Sequence, residues 1–160
     1  MKFYAIRENY LYRKAYKNGA RKSSRTLTVF VLKDKAAATL EKQNPLKQPL
    51  NRIGISVSKK VGDAVHRNRA KRLIREAYRQ IDRLFGVKKG YLVVICPRTE
   101  CTVTKEGNVY RDLLYCLTSL DMLCGKTDRK DHADIQQENV QPLKTVTENN
   151  EADKKTETNE

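Results

Sequence analysis

Tryptophan is absent from this chain, phenylalanine occurs three times and histidine only twice in 160 residues. The two histidines, His66 and His132, are far apart and no HExxH motif is present, which removes the usual helical zinc-hydrolase pattern. There is no GxGxxG stretch and no GKS or GKT loop, so neither familiar glycine-rich phosphate cradle is available. The four cysteines, Cys96, Cys101, Cys116 and Cys124, are separated by 5, 15 and 8 positions, which fits neither a CxxC redox pair nor a common zinc spacing. Cys96 falls in a strand-like run and Cys116 in an apolar helical pattern, where a thiol serves as a small buried hydrophobe. No segment approaches 18 consecutive apolar residues, and the N-terminus lacks the apolar run of a secretory signal. These absences place the expected protein in the cytoplasm, with no membrane partner.

Negative charge is also scarce where it matters. Residues 1–125 carry 27 Lys or Arg against 10 Asp or Glu, a net of +17, whereas residues 126–160 carry 6 against 9. The latter stretch has no aromatic residue and few large apolar ones, so it cannot offset the entropy lost on ordering. Residues 126–160 are therefore expected to form a disordered polar tail, and residues 1–125 a single RNA-binding domain of ordinary size. The acids Asp63, Glu76 and Asp82 stand isolated in a basic field, with Glu76 spaced to pair with Arg72 or Arg79 along a helix. Nothing resembles a carboxylate cluster for a two-metal nuclease.

What is present reads as an alternation of helices and strands. Leu11, Ala15, Tyr12 and Tyr16 share helical spacing over residues 7–18, with Gly19 as the stop. TLTVFVL at 26–32 alternates Leu27, Val29 and Val31 against Thr28 and Phe30, and a further short strand is expected near 21–23. Residues 33–51, with Pro45 and Pro49, predict a long turn. Ile53, Ile55 and Val57 alternate with Gly54, Ser56 and Ser58, whose small side chains leave room for another element to approach. A loop at 61–67 then leads to a helix that Asn68 is placed to cap. In that helix Ala70, Leu73, Ile74, Ala77, Ile81 and Leu84 gather on one side, while Arg72, Arg75, Arg79 and Arg83 gather on the other. Gly86 and Gly90 bracket a turn before the strand YLVVIC at 91–96. Val109, Leu113, Cys116, Leu117 and Leu120 define a last helix near 107–123. The expected class is α+β, a compact mixed sheet of three or four strands with packed helices.

The segment KKVGDAVHRNRAKRLIR at 59–75 concentrates seven Lys or Arg against one Asp. Fixed positive charge at that density, on a rigid element, calls for a polyanion such as folded RNA. Arginine offers a planar fork for two phosphate oxygens and lysine a mobile point charge. Flanking a cap, Arg67 and Arg69 would project from a first helical turn whose backbone N–H groups favour anions. Asn68 is then either a cap alone or a further RNA contact, and His66 is either a stacking ring or simply the residue before the basic turn. Tyr12, Tyr16 and Phe30 supply rings that form either a shallow base-stacking cleft or part of a half-buried core.

The run RIGISVSKKVGDAVHRNRAKRLIREAYR, residues 52–79, closely resembles the signature of the bacterial ribonuclease P protein family, with the central RNR at 67–69. The resemblance extends in element order from about residue 7 to residue 123 and leaves the tail outside. It implies an atypical left-handed crossover around the signature helix, against the usual handedness. It implies two partners, a catalytic RNA and precursor tRNA, with the RNA and Mg²⁺ performing the hydrolysis that removes the 5′ leader, and with no protein active site. Carried onto this chain, Lys59, Lys60, Arg67, Asn68, Arg69, Lys71, Arg72, Arg75 and Arg79 would contact RNA, and Tyr12, Tyr16 and Phe30 would line the leader cleft. The family pattern F-x-x-x-F-x-x-G stands here as Tyr12-x-x-x-Tyr16-x-x-Gly19, which keeps both rings and adds two hydroxyls.

Overall fold

A computed structural model describes residues 4–125. The expected tail, 126–160, lies outside the described residues. The main chain runs through β1 (Tyr4–Ala5), α1 (Asn9–Asn18), β2 (Ala20–Ser23), β3 (Leu27–Lys33), α2 (Ala37–Gln43) and β4 (Arg52–Ile55). A single 3-10 turn at Lys59–Val61 then precedes α3 (Ala64–Leu84), β5 (Tyr91–Pro97), α4 (Glu100–Val103) and α5 (Glu106–Ser119). The strands form one mixed sheet in the order β1-β4-β5-β3-β2. β1, β4 and β5 are parallel neighbours, while β3 runs antiparallel to both β5 and β2.

The sheet has five strands rather than three or four. The additional one, β1, is two residues long and therefore has no alternation to read. Two other elements also leave no periodic mark. α2 interrupts the expected long turn but buries none of its side chains, and α4 is a single turn.

Alternation of side chains across the pleat splits the core into two layers. Leu27, Val29, Val31, Ile53, Val93 and Ile95 meet the apolar stripes of α3 and α5 in the larger cluster. On the opposite face Leu92 and Val94 pack with Leu11 and Ala15 of α1, and with Ile6. Among the described residues one short helix covers that second face, and Tyr12, Phe30 and Cys96 are partly accessible there. α3 departs from expectation at its end, where Leu84 is exposed because the helix stops at that residue. Its inward side instead carries Tyr78 and Asp82.

Buried polar groups fix the strand ends. Asn51 donates to the Tyr78 hydroxyl at 3.3 Å and the Lys88 carbonyl at 2.9 Å, and accepts from the Tyr91 amide at 2.9 Å. Asp82 accepts from Lys89 at 2.6 Å and from the Val87 amide at 2.9 Å, which pins the turn between α3 and β5. Asp34, just after β3, grips Arg52 at the start of β4 through two bonds of 2.6 and 2.7 Å. Burial alone would raise the Asp34 pKa, but the Arg52 guanidinium and the Ala36 amide outweigh it and hold the carboxyl below the usual carboxylate value.

Candidate nucleic-acid interface

α1 is presented to the open sheet face by two close approaches. A Cβ at Gly19 would lie 2.4 Å from the Ala15 carbonyl oxygen, so the helix can end tightly against the sheet only with glycine there. A Cβ at Gly54 would lie 2.6 to 2.7 Å from ring atoms of Tyr12. The small residue in β4 thus makes the bed on which Tyr12 rests, and the Tyr12 hydroxyl donates to the Ile6 carbonyl at 3.4 Å. One helical turn further, Tyr16 meets Phe30 edge to face, with ring centroids 5.0 Å apart and planes at 73°. The Tyr16 hydroxyl lies 3.6 Å from Cys96 Sγ, and burial pushes its pKa up to about 12. Burial likewise raises the Cys96 thiol. The rings of Tyr12, Tyr16 and Phe30 therefore lie together on the α1 side of the sheet, and both tyrosines carry a neutral hydroxyl in ordinary buffers. Arg21 was not singled out from the sequence, yet its guanidinium lies over Phe30, 5.8 Å from the ring centroid. Only the β2–β3 register, Arg21 opposite Phe30, reveals that proximity.

The basic helix begins earlier than the sequence predicts. Its cap is Asp63, whose carboxylate accepts from the His66 amide at 2.9 Å, so Asn68 is not a cap. The 61–67 loop is correspondingly shorter, running only from the 3-10 turn to Asp63. Arg67, Asn68 and Arg69 consequently sit inside the helix, where the Arg67 amide already bonds the Asp63 carbonyl at 3.0 Å. Any phosphate held at this triplet is gripped by side chains, because the backbone N–H groups are engaged in the helix. His66 is oriented by a 2.7 Å contact between Nδ1 and Asp63, and hydrogen bonds from His66 hold the Asp63 carboxyl low.

At about 100° per residue the triplet divides around the helix. Arg67 and Lys71 lie on one flank with Arg75, Asn68 and Arg72 follow the crest, and Arg69 lies on the far flank. Arg67 also donates to the Gly62 carbonyl at 2.7 Å, tying the helix to the loop that displays Lys59 and Lys60. Arg79 is committed to Glu76 at 2.6 Å in an exposed pair, as the spacing predicts. Arg69, Arg72 and Arg75 are exposed and have no acidic partner within salt-bridge distance among the described residues.

The two candidate surfaces join. Lys71 and Arg75 line one depression with Tyr12, Ile6, Ile53 and Ile55, at the sheet edge beyond the end of β1. The aromatic cluster and the basic helix are thus neighbouring parts of one continuous surface. Among the described residues no helix is long and apolar enough to cross a membrane.

A small, strongly basic α+β domain with an aromatic sheet face only partly covered by one helix has the build of an RNA-binding protein. The Ribonuclease P family profile matches residues 1–121, and the chain belongs to that family. It is 42% identical over 113 residues to the ribonuclease P protein component of Clostridium acetobutylicum, covering 71% of this chain and 82% of that relative. It is 36% identical over 121 residues to the component of Clostridium botulinum strain Langeland, covering 75% and 93%. Among solved structures, the Staphylococcus aureus RNase P protein superposes with a TM-score of 0.58 at 26% identity, covering 76% of this chain and 98% of that one. The chain is a subunit of the tRNA-processing endoribonuclease ribonuclease P.

Proposed function

We propose that α3 and its preceding loop bind the catalytic RNA of ribonuclease P, and that the Tyr12–Tyr16–Phe30 groove holds the 5′ leader of precursor tRNA. The observation that carries this reading is the shared depression in which Tyr12 meets Lys71 and Arg75. The catalytic RNA on the helix and the leader on the rings can therefore lie side by side on one continuous surface. Arg67, Asn68, Arg69, Lys71, Arg72 and Arg75, with Lys59 and Lys60, take phosphates. Arg79 contributes less because Glu76 occupies it. Each base stacked on a ring adds about 1–3 kcal/mol with little demand on base identity. The leader is therefore retained whatever its sequence, and a product without a leader loses the groove.

The protein supplies charge and position, and the RNA, with Mg²⁺ held mainly by RNA, hydrolyses the phosphodiester. Bringing two polyanions together is costly, and a dense cationic face lowers that repulsion and the demand for free metal ions. These functions belong to residues 1–125, acting in the cytoplasm.

Reconstitution tests the division of labour. The chain alone should leave a leader-bearing precursor intact, whereas chain plus catalytic RNA plus Mg²⁺ should release the leader and leave a 5′ phosphate on the tRNA. Cleavage by the chain after exhaustive removal of RNA would overturn it.

A further inference from the structure

We propose that the outer face of α5 and the β2–β3 hairpin form a second single-stranded RNA surface, which takes the part of the leader lying beyond the aromatic groove. The inference rests on the groove reading above and extends it around the edge of the sheet.

Asn108, Arg111 and Tyr115 fall at intervals of three and four along α5 and so share one side of it. Tyr115 is 46% exposed, and the Lys22 ammonium lies 5.0 Å from its ring centroid. Arg25, Lys105 and Arg111 line one depression with Asn108 and Asp112. The single carboxylate there is already engaged, since Asp112 accepts from the Thr26 amide at 2.8 Å and the Thr26 hydroxyl at 2.6 Å. That bond also fastens the hairpin to α5. Glu106, in the first turn of α5, faces away, about 160° around the helix from Asn108. None of Lys22, Arg25, Lys105 and Arg111 has an acidic partner within salt-bridge distance among the described residues. A cation-rich hollow beside an aromatic plane is the combination that holds single-stranded nucleic acid, phosphates in the hollow and a base on the ring.

Continuity with the groove identifies the occupant. β2 is the sheet's edge, and successive residues in it point to opposite faces. Arg21 covers Phe30 on the groove face, while Lys22 reaches Tyr115 on the other. A strand that enters at Lys71 and Arg75 and crosses β4, β5 and β3 leaves the groove beside Arg21. From there the next cation and the next ring are Lys22 and Tyr115. The end at α3 is where the catalytic RNA sits in the proposed arrangement, so the leader nucleotides nearest the cleavage junction occupy that end. The nucleotides farthest from it pass over the β2 edge onto α5.

The test uses holoenzyme reconstituted from the full chain, catalytic RNA and Mg²⁺, with precursor tRNAs whose leaders increase in length. Tyr115→Ala, and separately Arg25→Ala with Arg111→Ala, should weaken binding about 5-fold or more for long leaders. They should leave the shortest leaders, mature tRNA and affinity for the catalytic RNA unchanged. A photoreactive nucleotide at the 5′ end of a long leader should crosslink to the α5 face in the unmodified protein. An equal loss at every leader length, a loss of affinity for catalytic RNA, or no change at any length would overturn the proposal. Tyr16→Ala with Phe30→Ala reports on the groove separately. If that variant binds short leaders normally the groove reading fails, while the crosslink still tests the α5 surface directly.

Discussion

Gly54 sets the shape of the groove more than any of the rings above it. Its missing Cβ is the space Tyr12 occupies, so Gly54→Ala should displace the Tyr12 ring and cost about 1–3 kcal/mol through overpacking. The expected result is weaker binding of leader-bearing precursor and little change toward mature tRNA, measured by equilibrium titration of the holoenzyme. Tyr16 yields a pH prediction. Its hydroxyl is raised from 10 to about 12, so the neutral form persists through the range in which an exposed tyrosine ionises. Spectrophotometric titration should show a tyrosine ionising near 12 that Tyr16→Phe removes, and leader affinity should have no Tyr16 step near pH 10. A Tyr16 ionisation near 10 would mean that its surroundings are not as described. The rings were legible in the sequence as a pair one turn apart, because helical spacing is enough to align them. Arg21 and Cys96 were not, because their places beside Phe30 and Tyr16 depend on strand register, which no local pattern encodes.

At the scale of the element, α3 separates its cations by what they touch. Arg72 and Arg75 project without acidic partners, whereas Arg79 shares its charge with Glu76. Replacing Arg72 or Arg75 by Ala should lower the slope of log affinity against log salt by about one each for catalytic RNA. Arg79→Ala should change the slope less. Equal slopes for all three would show that the Glu76 pair dissolves on binding. The apolar stripe of this helix was readable from its period, and the prediction fails only at the two ends. At the start, the cap expected at Asn68 is Asp63, a carboxylate three residues before His66 that receives an unpaired amide just as an asparagine would. Leu84 fits the period but is the last helical residue, with no further turn to cover it. α2 and β1 were invisible for a different reason: one buries no side chain and the other is too short to alternate.

For the whole molecule, the Asp34–Arg52 pair is the polar tie between the two halves of the sheet, since β5 lies between the strands it links. Because the Asp34 carboxyl is lower in the folded protein than in the unfolded chain, its contribution is complete above the ordinary Asp value of about 3.9. It is lost as pH falls through that value and then through the folded one. Asp34→Ala, which leaves the Arg52 charge buried, should cost about 3–5 kcal/mol at neutral pH. The penalty should shrink toward acid, as denaturant melts at pH 7 and pH 3 can measure. A penalty that grows in acid would contradict the assignment. The class of fold was evident from the alternation of helical and strand periods, and strand order was not. β5 pairs with β3 and β4 across long stretches of chain, and those pairings arise from burial of both its faces rather than from any neighbouring residue.

The central position of β5 has a consequence for how the protein is made. Tyr12, Tyr16, Phe30, Gly54 and the whole of α3 are synthesised before residues 91–97, yet the backbones of β3 and β4 are joined in the sheet through that later strand. A nascent chain ending before Tyr91 carries all of the cations of α3 and all three rings but lacks the strand that joins the β2–β3 pair to the β1–β4 pair. Competence to engage substrate thus arrives late in translation, once β5 joins β4 to β3, so a ribosome-bound fragment stalled upstream of β5 should attract RNA through charge alone and fail to tell a precursor from its product.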